Sequence, residues 1–521
     1  MSLFQTKRWY DFPLPVLSIP IILFLCAERT LTAHDPANFF LAVKYGISVL
    51  VAERPHAPGY PILVLLWRAA AFILHVNPHT AMIVMNGVFM LIAGTATFFL
   101  AKRLYDPLTG FIACALLVSN PVFLYYGCVA ETYTYDAAFS AMVMLSALAL
   151  GKKNLPWLWL LVGVAGGFRL SSVILLFPVI IFVLYLRRDV KIFTRGLLAA
   201  CAVAFIAGAA LWAIPLAVNE GGIGKFAEII RVANYSTDTF LQHTSTLAAI
   251  LFWMVNIAAV VVVLRFRDLI SSLRNKNTGS WLLCVWIAVP LLYFIIAVYN
   301  KGYALIFLPA FVIAIAHALY KMQKKKLRYA FISGVISCNL GIFFFAPFIP
   351  PAVDAAYSHA NRTMNARIQA ALLRGTSFYL PSLSHVRASE RAIQEGINLI
   401  NGAYDTNAIY LLDPSVSVWM FPRSLQADFP ALHFAMPPAV DSTVVSMFYG
   451  DTIDRHYPAV KLSEVPALYF FTDIRNMHAA ELFHACILCA KDDRVALYRI
   501  PFEERSALWR WLIEMYNRQG G

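Results

Sequence analysis

Long apolar runs separated by short basic clusters dominate this chain. A helix needs about 20 residues to cross the hydrocarbon core of a bilayer. Runs of about that length occupy residues 13–30, 80–101, 107–127, 134–151, 196–218, 246–264, 281–299, 302–320 and 328–348, and a longer run spans 156–186. Because Gly166, Gly167 and Arg169 interrupt the longer run, we divide it into two helices that meet at the arginine. The pattern predicts an all-α polytopic membrane domain with about 11 transmembrane helices.

The composition agrees with a polytopic membrane protein. Of the 521 residues, 60% are hydrophobic and 14% are charged, and the mean hydropathy is +0.66. The net charge of +13 lies in clusters between the apolar runs, where Lys and Arg orient helices toward the cytoplasm. A nucleic-acid partner is therefore not needed to explain the charge.

The basic clusters also predict the topology. Lys7 and Arg8 precede a first apolar run that lacks a convincing cleavage site, so we expect an uncleaved first helix and a cytoplasmic N-terminus. The later clusters all face the cytoplasm only if residues 57–76 do not cross the membrane. The transmembrane domain, residues 1–350, then contains a first extracytoplasmic loop at 31–56 and a juxtamembrane or re-entrant segment at 57–76.

The composition changes after residue 350, where 17 of the 29 acidic residues occur. Strand-like segments alternate there with helical stretches. The strand-like segments are 408–412, 431–435, 467–471 and 494–500, and the helical stretches include 388–402 and 475–486. We expect residues 351–521 to form a small soluble α/β domain on the extracytoplasmic side.

Cysteine spacing gives no sign of a metal site. Most of the eight cysteines are scattered through apolar runs, where a free thiol behaves as a small hydrophobe. Only Cys486 and Cys489 have CxxC spacing, and no histidines accompany them at zinc-ligand spacing. The pair predicts a short-range disulfide or two ordinary thiols, and no residue demands a metal.

The first loop concentrates charged side chains at a membrane boundary, where they are costly. They are His34, Asp35, Glu53, Arg54 and His56. One interpretation is a catalytic loop, and the other is a solvated connection whose charges mark the interface. Asp35, just before Pro36, is in turn either a helix N-cap or a general base that accepts a proton from a hydroxyl.

The run HAPGYP, residues 56–61, restricts the backbone after this loop. Two prolines limit φ, Gly59 permits a turn, and Tyr60 offers an interfacial hydroxyl. The run is a rigid loop in the simplest interpretation. His56 could instead hydrogen-bond a phosphate or orient Asp35.

Other polar residues lie at the predicted outer ends of helices. Glu131 and Asp136, in VAETYTYD, are either interface caps or acids that face a cavity. Arg169, in GGFRLSS, breaks an apolar run, and it either binds a phosphate, snorkels to the interface or pairs with a structural carboxylate. Lys301, with Tyr303 nearby, is a second candidate cation. The segment 219–245 is amphipathic and forms either a lid or a membrane-surface helix. In the predicted topology, this segment, the first loop and the polar residues named above all lie on the extracytoplasmic side. Such a location suits a lipid-linked substrate.

Five segments together resemble the GT-C superfamily of membrane glycosyltransferases. They are HDPANFFLAVKYG, RPHAPGYPILVLL, AETYTYDAAFSA, GGFRLSS and GYALIFLP. Within the superfamily, the chain is most similar to the branch related to glycosyltransferase family 39 and the protein O-mannosyltransferases. The resemblance implies a many-helix enzyme that passes a sugar, with inversion, from a polyprenyl-phosphate donor to an acceptor hydroxyl on the extracytoplasmic side.

The resemblance also implies residue roles. Asp35 matches the first-loop aspartate, the general base, Glu131 matches an acidic residue of the second outer loop, and Arg169 matches a common basic residue. We expect Arg169, with His56 or Lys301, to bind the donor phosphate. We assign substrate positioning to His34, Glu53, Arg54, Tyr60, Asp136 and Tyr303.

The partners implied are the lipid-linked sugar donor, membrane lipid and an acceptor that is a protein, a lipid or a glycan. No cofactor is required, and metal dependence in some relatives leaves a divalent metal open. Two other classes are also open. A lipid or glycolipid transporter would have a similar basic membrane body, and a non-catalytic scaffold would use the outer α/β domain to bind a partner.

Overall fold

The computed structural model describes residues 8–32, 34–49, 54–55, 58–186, 194–233, 240–267, 271, 274, 278–295, 301–346, 382–412, 422–429, 431–436, 444–448, 460–461, 466–473, 487–491, 495–505, 507–508 and 510. The chain forms two compact units. We call them the helical unit (Met1–Ala27, Tyr60–Ile349 and Arg374–Ser384) and the α/β unit (Glu28–Gly59, Pro350–Leu373 and His385–Gly521).

Apolar α-helices account for most of the helical unit. The described helices before residue 350 are α1 (Ser18–Cys26), α2 (His34–Tyr45), α3 (Pro61–Leu74), α4 (Pro78–Leu104), α5 (Pro107–Ser119), α6 (Pro121–Cys128), α7 (Tyr133–Ala149), α8 (Leu155–Ala165), α9 (Leu170–Leu186), α10 (Arg195–Asn219), α11 (Ile223–Ala233), α12 (Phe240–Val255), α13 (Ala258–Leu264), α14 (Thr278–Phe294), α15 (Leu308–Tyr320) and α16 (Lys325–Phe345). Of these, α2 belongs to the α/β unit. A 3-10 helix, Lys301–Ile306, precedes α15.

These helices confirm the predicted apolar runs, including the division of 156–186 at Arg169. Three runs predicted as single helices are broken. The run 302–320 is divided into the 3-10 helix Lys301–Ile306 and α15. The run 107–127 bends by 55° between α5 and α6, because Pro121 disfavours a helical conformation at Asn120, whose side chain instead accepts a bond from Val122 N at 3.1 Å. The run 246–264 is divided between α12 and α13 at Asn256, which has a left-handed φ of 38°.

Three described helices, α4, α10 and α16, are each long and apolar enough to cross a membrane, and the bent pair of α5 and α6 adds a fourth if it counts as one span. The total of about 11 crossings stays a prediction. With 14 residues, α3 is about 21 Å long at the usual helical rise. The juxtamembrane or re-entrant placement of residues 57–76 stays a prediction.

A mixed β-sheet forms the core of the α/β unit. The described strands are β1 (Ala408–Leu412), β2 (His433–Met436), β3 (Val444–Phe448), β4 (Val460–Lys461), β5 (Ala467–Asp473), β6 (Ile487–Lys491) and β7 (Val495–Arg499). They lie in the order β4-β3-β2-β1-β5-β7-β6, with β1 parallel to β2 and β5 and every other pair antiparallel. Among the described residues after 381, the α-helices beside the sheet are α17 (Leu383–Gly402) and α18 (Pro422–Asp428), and α2 belongs to the same unit.

The hydrophobic core of this unit lies between α17 and the sheet. Ile393 and Ile400 of α17 are fully buried against Tyr410, Phe434 and Phe471. The Tyr410 hydroxyl donates to the carbonyl of Ala403 at 2.5 Å and accepts from Asp405 N at 3.0 Å, which ties β1 to the end of α17. Burial raises the pKa of the Tyr410 hydroxyl above its usual value.

The four predicted strands are confirmed as β1, β2, β5 and β7, with ends that differ by a few residues, and the predicted helix 388–402 is α17. Strands β3, β4 and β6 were not predicted from the sequence. The predicted helix 475–486 and Cys486 lie outside the described residues.

The α/β unit also includes the first loop, Glu28–Gly59. Within this loop, Ser48 and Arg54 exchange two backbone hydrogen bonds of 2.7 and 2.9 Å. The boundary predicted at residue 350 assigns residues 31–56 to the transmembrane domain, whereas their contacts group them with the C-terminal residues. The boundary near 350 itself stays a prediction.

Two glycines bring α8 and α10 into backbone contact. A Cβ atom on Gly163 would lie 2.2 Å from Phe205 O, and one on Gly208 would lie 2.3 Å from Leu160 O. Trp212 Nε1 also donates to Gly163 O at 2.9 Å. In lipid, the hydrophobic effect does not drive helices together, and close van der Waals packing at small residues stabilises their association instead.

We expect Gly208→Ala to force these helices apart and to destabilise the protein by about 1–3 kcal/mol, the usual effect of overpacking. The measurement is the thermal unfolding midpoint of purified protein in lipid nanodiscs. Gly341→Ala in α16 is the control, because a Cβ atom there meets no described atom within 4 Å. Equal midpoints for the two variants would contradict the close contact.

Candidate active site: a buried arginine at a helix break

Arg169 lies at the break between α8 and α9, and its side chain is only 3% exposed. The amides of Phe168 and Arg169 both donate to the carbonyl of Ala165 at 3.0 Å, which ends α8 in a tight turn. The turn requires glycine at 166 and 167, because a Cβ atom at either position would lie within 2.8 Å of Trp212. The break therefore places a permanent cation inside the helical unit.

Asp136 neutralises this cation. Arg169 Nε lies 3.2 Å from Asp136 Oδ2, Nη1 donates to Thr132 Oγ1 at 2.9 Å, and Nε also donates to Ser171 Oγ at 3.3 Å. The Ser172 hydroxyl donates to the other carboxylate oxygen of Asp136. Of the three interpretations of Arg169 from sequence, pairing with a carboxylate is observed, and snorkelling is not, since the side chain is buried.

Two tyrosine rings enclose the guanidinium. Arg169 Cζ lies 4.3 Å from the centroid of Tyr133 and 4.8 Å from that of Tyr303. The two rings meet edge to face at 5.7 Å. Gly302 allows the 3-10 helix to approach, because a Cβ atom there would lie 2.1 Å from Tyr133 Cγ. The rings add cation–π stabilisation and limit the directions from which a ligand reaches the arginine.

Glu131 lies in the link between α6 and α7 and is 8% exposed. Asn86 of α4 holds this link, because its Nδ2 donates to Val129 O at 2.7 Å and its Oδ1 accepts from Thr134 Oγ1 at 3.1 Å. The link is thus anchored on both sides of Glu131 and Thr132. This anchoring explains how Thr132 reaches the guanidinium of Arg169.

The start of α3 joins the same break. Ile62 N donates to Gly167 O at 2.9 Å. Tyr60, just before α3, is buried and close enough to Arg169 for an electrostatic interaction. Tyr60 and Gly59 have positive φ angles of 46° and 101°, which confirms the turn predicted in HAPGYP.

This arrangement suits recognition of a phosphate. A guanidinium carries five N–H donors in a planar fork that matches phosphate oxygens and keeps its charge when buried. The hydrogen bonds of Arg169 within the described part of the chain use Nε and Nη1, and none uses Nη2. The pair with Asp136 fixes the plane of the guanidinium fork.

The structure describes the side chains of some of the other candidate residues but not of others. Asp35 lies in the first turn of α2 and is half-buried, as the second residue of the helix rather than its N-cap. Arg54 is half-buried, with Cζ 5.8 Å from the ring centroid of Tyr45. His34 begins α2 and Lys301 begins the 3-10 helix, but their side chains lie outside the described part, as do Glu53 and His56 entirely. Among the described residues, no group of three or more His, Cys, Asp or Glu side chains is placed to hold a metal ion.

Sequence reasoning missed the direct partners of Arg169. It treated Asp136 and Arg169 as separate candidates, and it did not consider Thr132, Ser171 or Ser172. The hydroxyls carry no signal of their own, because serine and threonine are common in membrane helices. The opposite charges of Asp136 and Arg169, each at the start of an apolar helix on the same predicted side, were the signal that could have paired them.

Comparison with solved structures identifies the fold. No protein-family model and no curated protein matches the chain. The crystal structure of ArnT from Cupriavidus metallidurans in the apo state matches with a TM-score of 0.62 at 12% identity, over 94% of this chain and 98% of that chain. ArnT bound to undecaprenyl phosphate gives a TM-score of 0.62 at 13% identity, over 93% and 97%.

An oligosaccharyltransferase from Archaeoglobus fulgidus, tethered with an acceptor peptide, matches at 11% identity over 90% of this chain and 70% of that chain. The TM-score of that match is 0.47. The likeness to ArnT shows that the chain has the same fold as ArnT along almost its whole length. Its long apolar helices agree with an integral membrane protein. The branch predicted from the sequence and the orientation of the termini stay predictions.

The buried pair predicts a non-additive effect of mutation. Arg169→Met or Asp136→Leu alone leaves a lone buried charge and should destabilise the protein by about 3–5 kcal/mol. The double variant should lose less stability than the sum of the losses of the two single variants. Thermal unfolding midpoints in nanodiscs measure the three losses.

The control is the exposed pair of Lys225 and Glu228 on α11, 3.0 Å apart with side chains 58% and 35% exposed. Glu228→Gln should change stability by less than about 1 kcal/mol. Additive losses for Arg169 and Asp136 would show that the two side chains do not depend on each other.

Proposed function

We propose that the protein is a GT-C glycosyltransferase that transfers a sugar from a polyprenyl-phosphate donor to an acceptor hydroxyl on the extracytoplasmic side, with inversion. The observation that carries the proposal is the match to ArnT along almost the whole chain, since one of the matching structures contains undecaprenyl phosphate. The enclosed guanidinium of Arg169 supports a phosphate-bearing lipid as the ligand. The acceptor is a protein, a lipid or a glycan.

In this proposal, Arg169 binds the phosphate of the donor. When the bond between the sugar and the phosphate breaks, negative charge grows on the phosphate oxygens, and a preorganised guanidinium in an apolar environment stabilises that charge. Asp136 keeps the guanidinium in place. Tyr133 and Tyr303 shield it from water, which strengthens its interaction with the leaving phosphate.

Asp35 is the proposed general base. Its carboxylate accepts the proton of the acceptor hydroxyl as the oxygen attacks the sugar, opposite the leaving phosphate, so that the configuration inverts. Asp35 lies in the first turn of α2, where it is half-buried. Glu131 assists by positioning the acceptor. His56 and Lys301 contribute to phosphate binding, and His34, Glu53, Arg54 and Tyr60 position the substrates.

Asp35→Asn should abolish turnover and leave donor binding intact, because the amide cannot take up a proton. The measurement is sugar transfer from a panel of radiolabelled polyprenyl-phosphate sugars by purified protein in lipid, together with binding of each donor. Asp106→Asn is the matched control, since Asp106 caps α5 by accepting from Thr109 N at 3.0 Å and asparagine caps equally well. Undiminished turnover by Asp35→Asn would remove it as the base, and movement of intact donor between leaflets without sugar transfer would indicate a transporter.

Arg169→Lys should weaken recognition of the phosphate specifically. Lysine keeps the charge but lacks the planar fork, so we expect the preference for undecaprenyl phosphate over undecaprenol to fall by about 10–100-fold. Arg103→Lys is the control, because Arg103 is exposed and its Nη2 donates to the carbonyl of Leu148 at 3.0 Å. An unchanged preference in Arg169→Lys, with unfolding midpoints near those of the wild type, would assign the phosphate to another group.

A further inference from the structure

Glu390 of α17 connects the C-terminal part of the α/β unit to the first loop. Its Oε1 accepts a hydrogen bond from the backbone amide of Arg29, 361 residues earlier in the chain. Its Oε2 accepts from Arg387 Nη1 at 2.7 Å. Both carboxylate oxygens are therefore engaged, and the side chain is only 12% exposed.

The segment that Glu390 holds leads directly to Asp35. Beside Arg29, the buried Glu28 carboxylate accepts from the buried Thr32 hydroxyl at 2.7 Å, which closes the turn of chain between them. Helix α2 begins two residues after this turn and carries Asp35 in its first turn. An anchor at Arg29 thus acts at the N-terminal end of the helix, close to the carboxylate.

A second contact holds the same helix. Within the α/β unit, α2 packs against α18. Ala37, Phe39 and Leu41 of α2 are at most 1% exposed, and Ser424 and Leu425 of α18 are fully buried. The apolar contact fixes the body of α2, and the carboxylate of Glu390 fixes the approach to its first turn.

We propose that Glu390 is a positioning residue through which the C-terminal domain orients the first loop and hence Asp35, an inference that rests on the proposed function for the role of Asp35 alone. A base acts well only when it is held within a fraction of an ångström of its working position. Loops without such anchors lose this precision. The C-terminal domain is therefore part of the catalytic apparatus rather than an appended binding module.

The test measures loop order and turnover in the same full-length variants in nanodiscs. Glu390→Ala removes both acceptor oxygens, whereas Glu390→Gln keeps one oxygen for the amide of Arg29. Gln394→Ala is the control on the same helix. Among the described residues, Gln394 hydrogen-bonds only to the exposed Asn398. Hydrogen exchange of residues 28–45 reports the loop. Exchange of β1 reports the fold of the domain.

In Glu390→Ala, we expect exchange in residues 28–45 to rise by about tenfold and kcat to fall by about tenfold, the effect of losing one charge-assisted hydrogen bond. The donor KM and the exchange of β1 should stay within twofold of the wild type. Glu390→Gln should restore most of both losses, and Gln394→Ala should match the wild type.

Two results would overturn the inference. Unchanged exchange in residues 28–45 of Glu390→Ala would show that Glu390 does not hold the loop, and raised exchange with unchanged kcat would show that holding the loop does not position the base. A wild type that binds the donor without sugar transfer would refute the proposed function instead, and exchange would then decide separately whether Glu390 anchors the loop.

Discussion

The burial of Arg169 is the constraint on which the helical unit depends. A lone guanidinium inside apolar helices would cost several kcal/mol, so the structure must supply a counter-charge and hydrogen-bond acceptors together. Asp136 supplies the charge, and Thr132 and Ser171 supply the acceptors. Thr132 precedes α7, Asp136 lies in the first turn of α7, and Ser171 lies in the first turn of α9. Their convergence requires α7, α9 and the link before α7 to pack in one arrangement.

Breaks in helices make this convergence possible. A continuous helix in lipid satisfies its own backbone and presents few polar groups, whereas a break frees backbone groups and brings polar side chains to one level. The breaks at 120, 129–132 and 166–169 each carry such side chains, and each is held by a bond to another helix, as Asn120 Nδ2 is to Met254 O at 3.0 Å. Hydrogen bonds to neighbouring helices therefore hold the polar groups at these breaks in defined positions.

Sequence patterns predicted the helices well, because burial in lipid leaves a length and composition signal that does not depend on which helices are neighbours. Gly166, Gly167 and Arg169 marked their break in the same way. Pairing of Arg169 with a carboxylate was one of the predicted alternatives, but the choice of Asp136 as its partner depends on the packing of α7 against α9. The break at Asn256 was missed because one asparagine barely lowers the hydropathy of a run. Nothing in the sequence placed the first loop with the C-terminal residues, since one partner of that contact is a backbone amide, which has no residue signature.

The bond between Arg29 and Glu390 has a consequence for synthesis of the chain. The ribosome makes the first loop long before α17, so for most of translation the loop has no anchor, and contacts of such high sequence separation form late. A nascent or truncated chain would therefore hold its membrane helices and even its arginine pair while Asp35 was still unplaced. The order of the first loop would then depend on synthesis of the chain as far as α17.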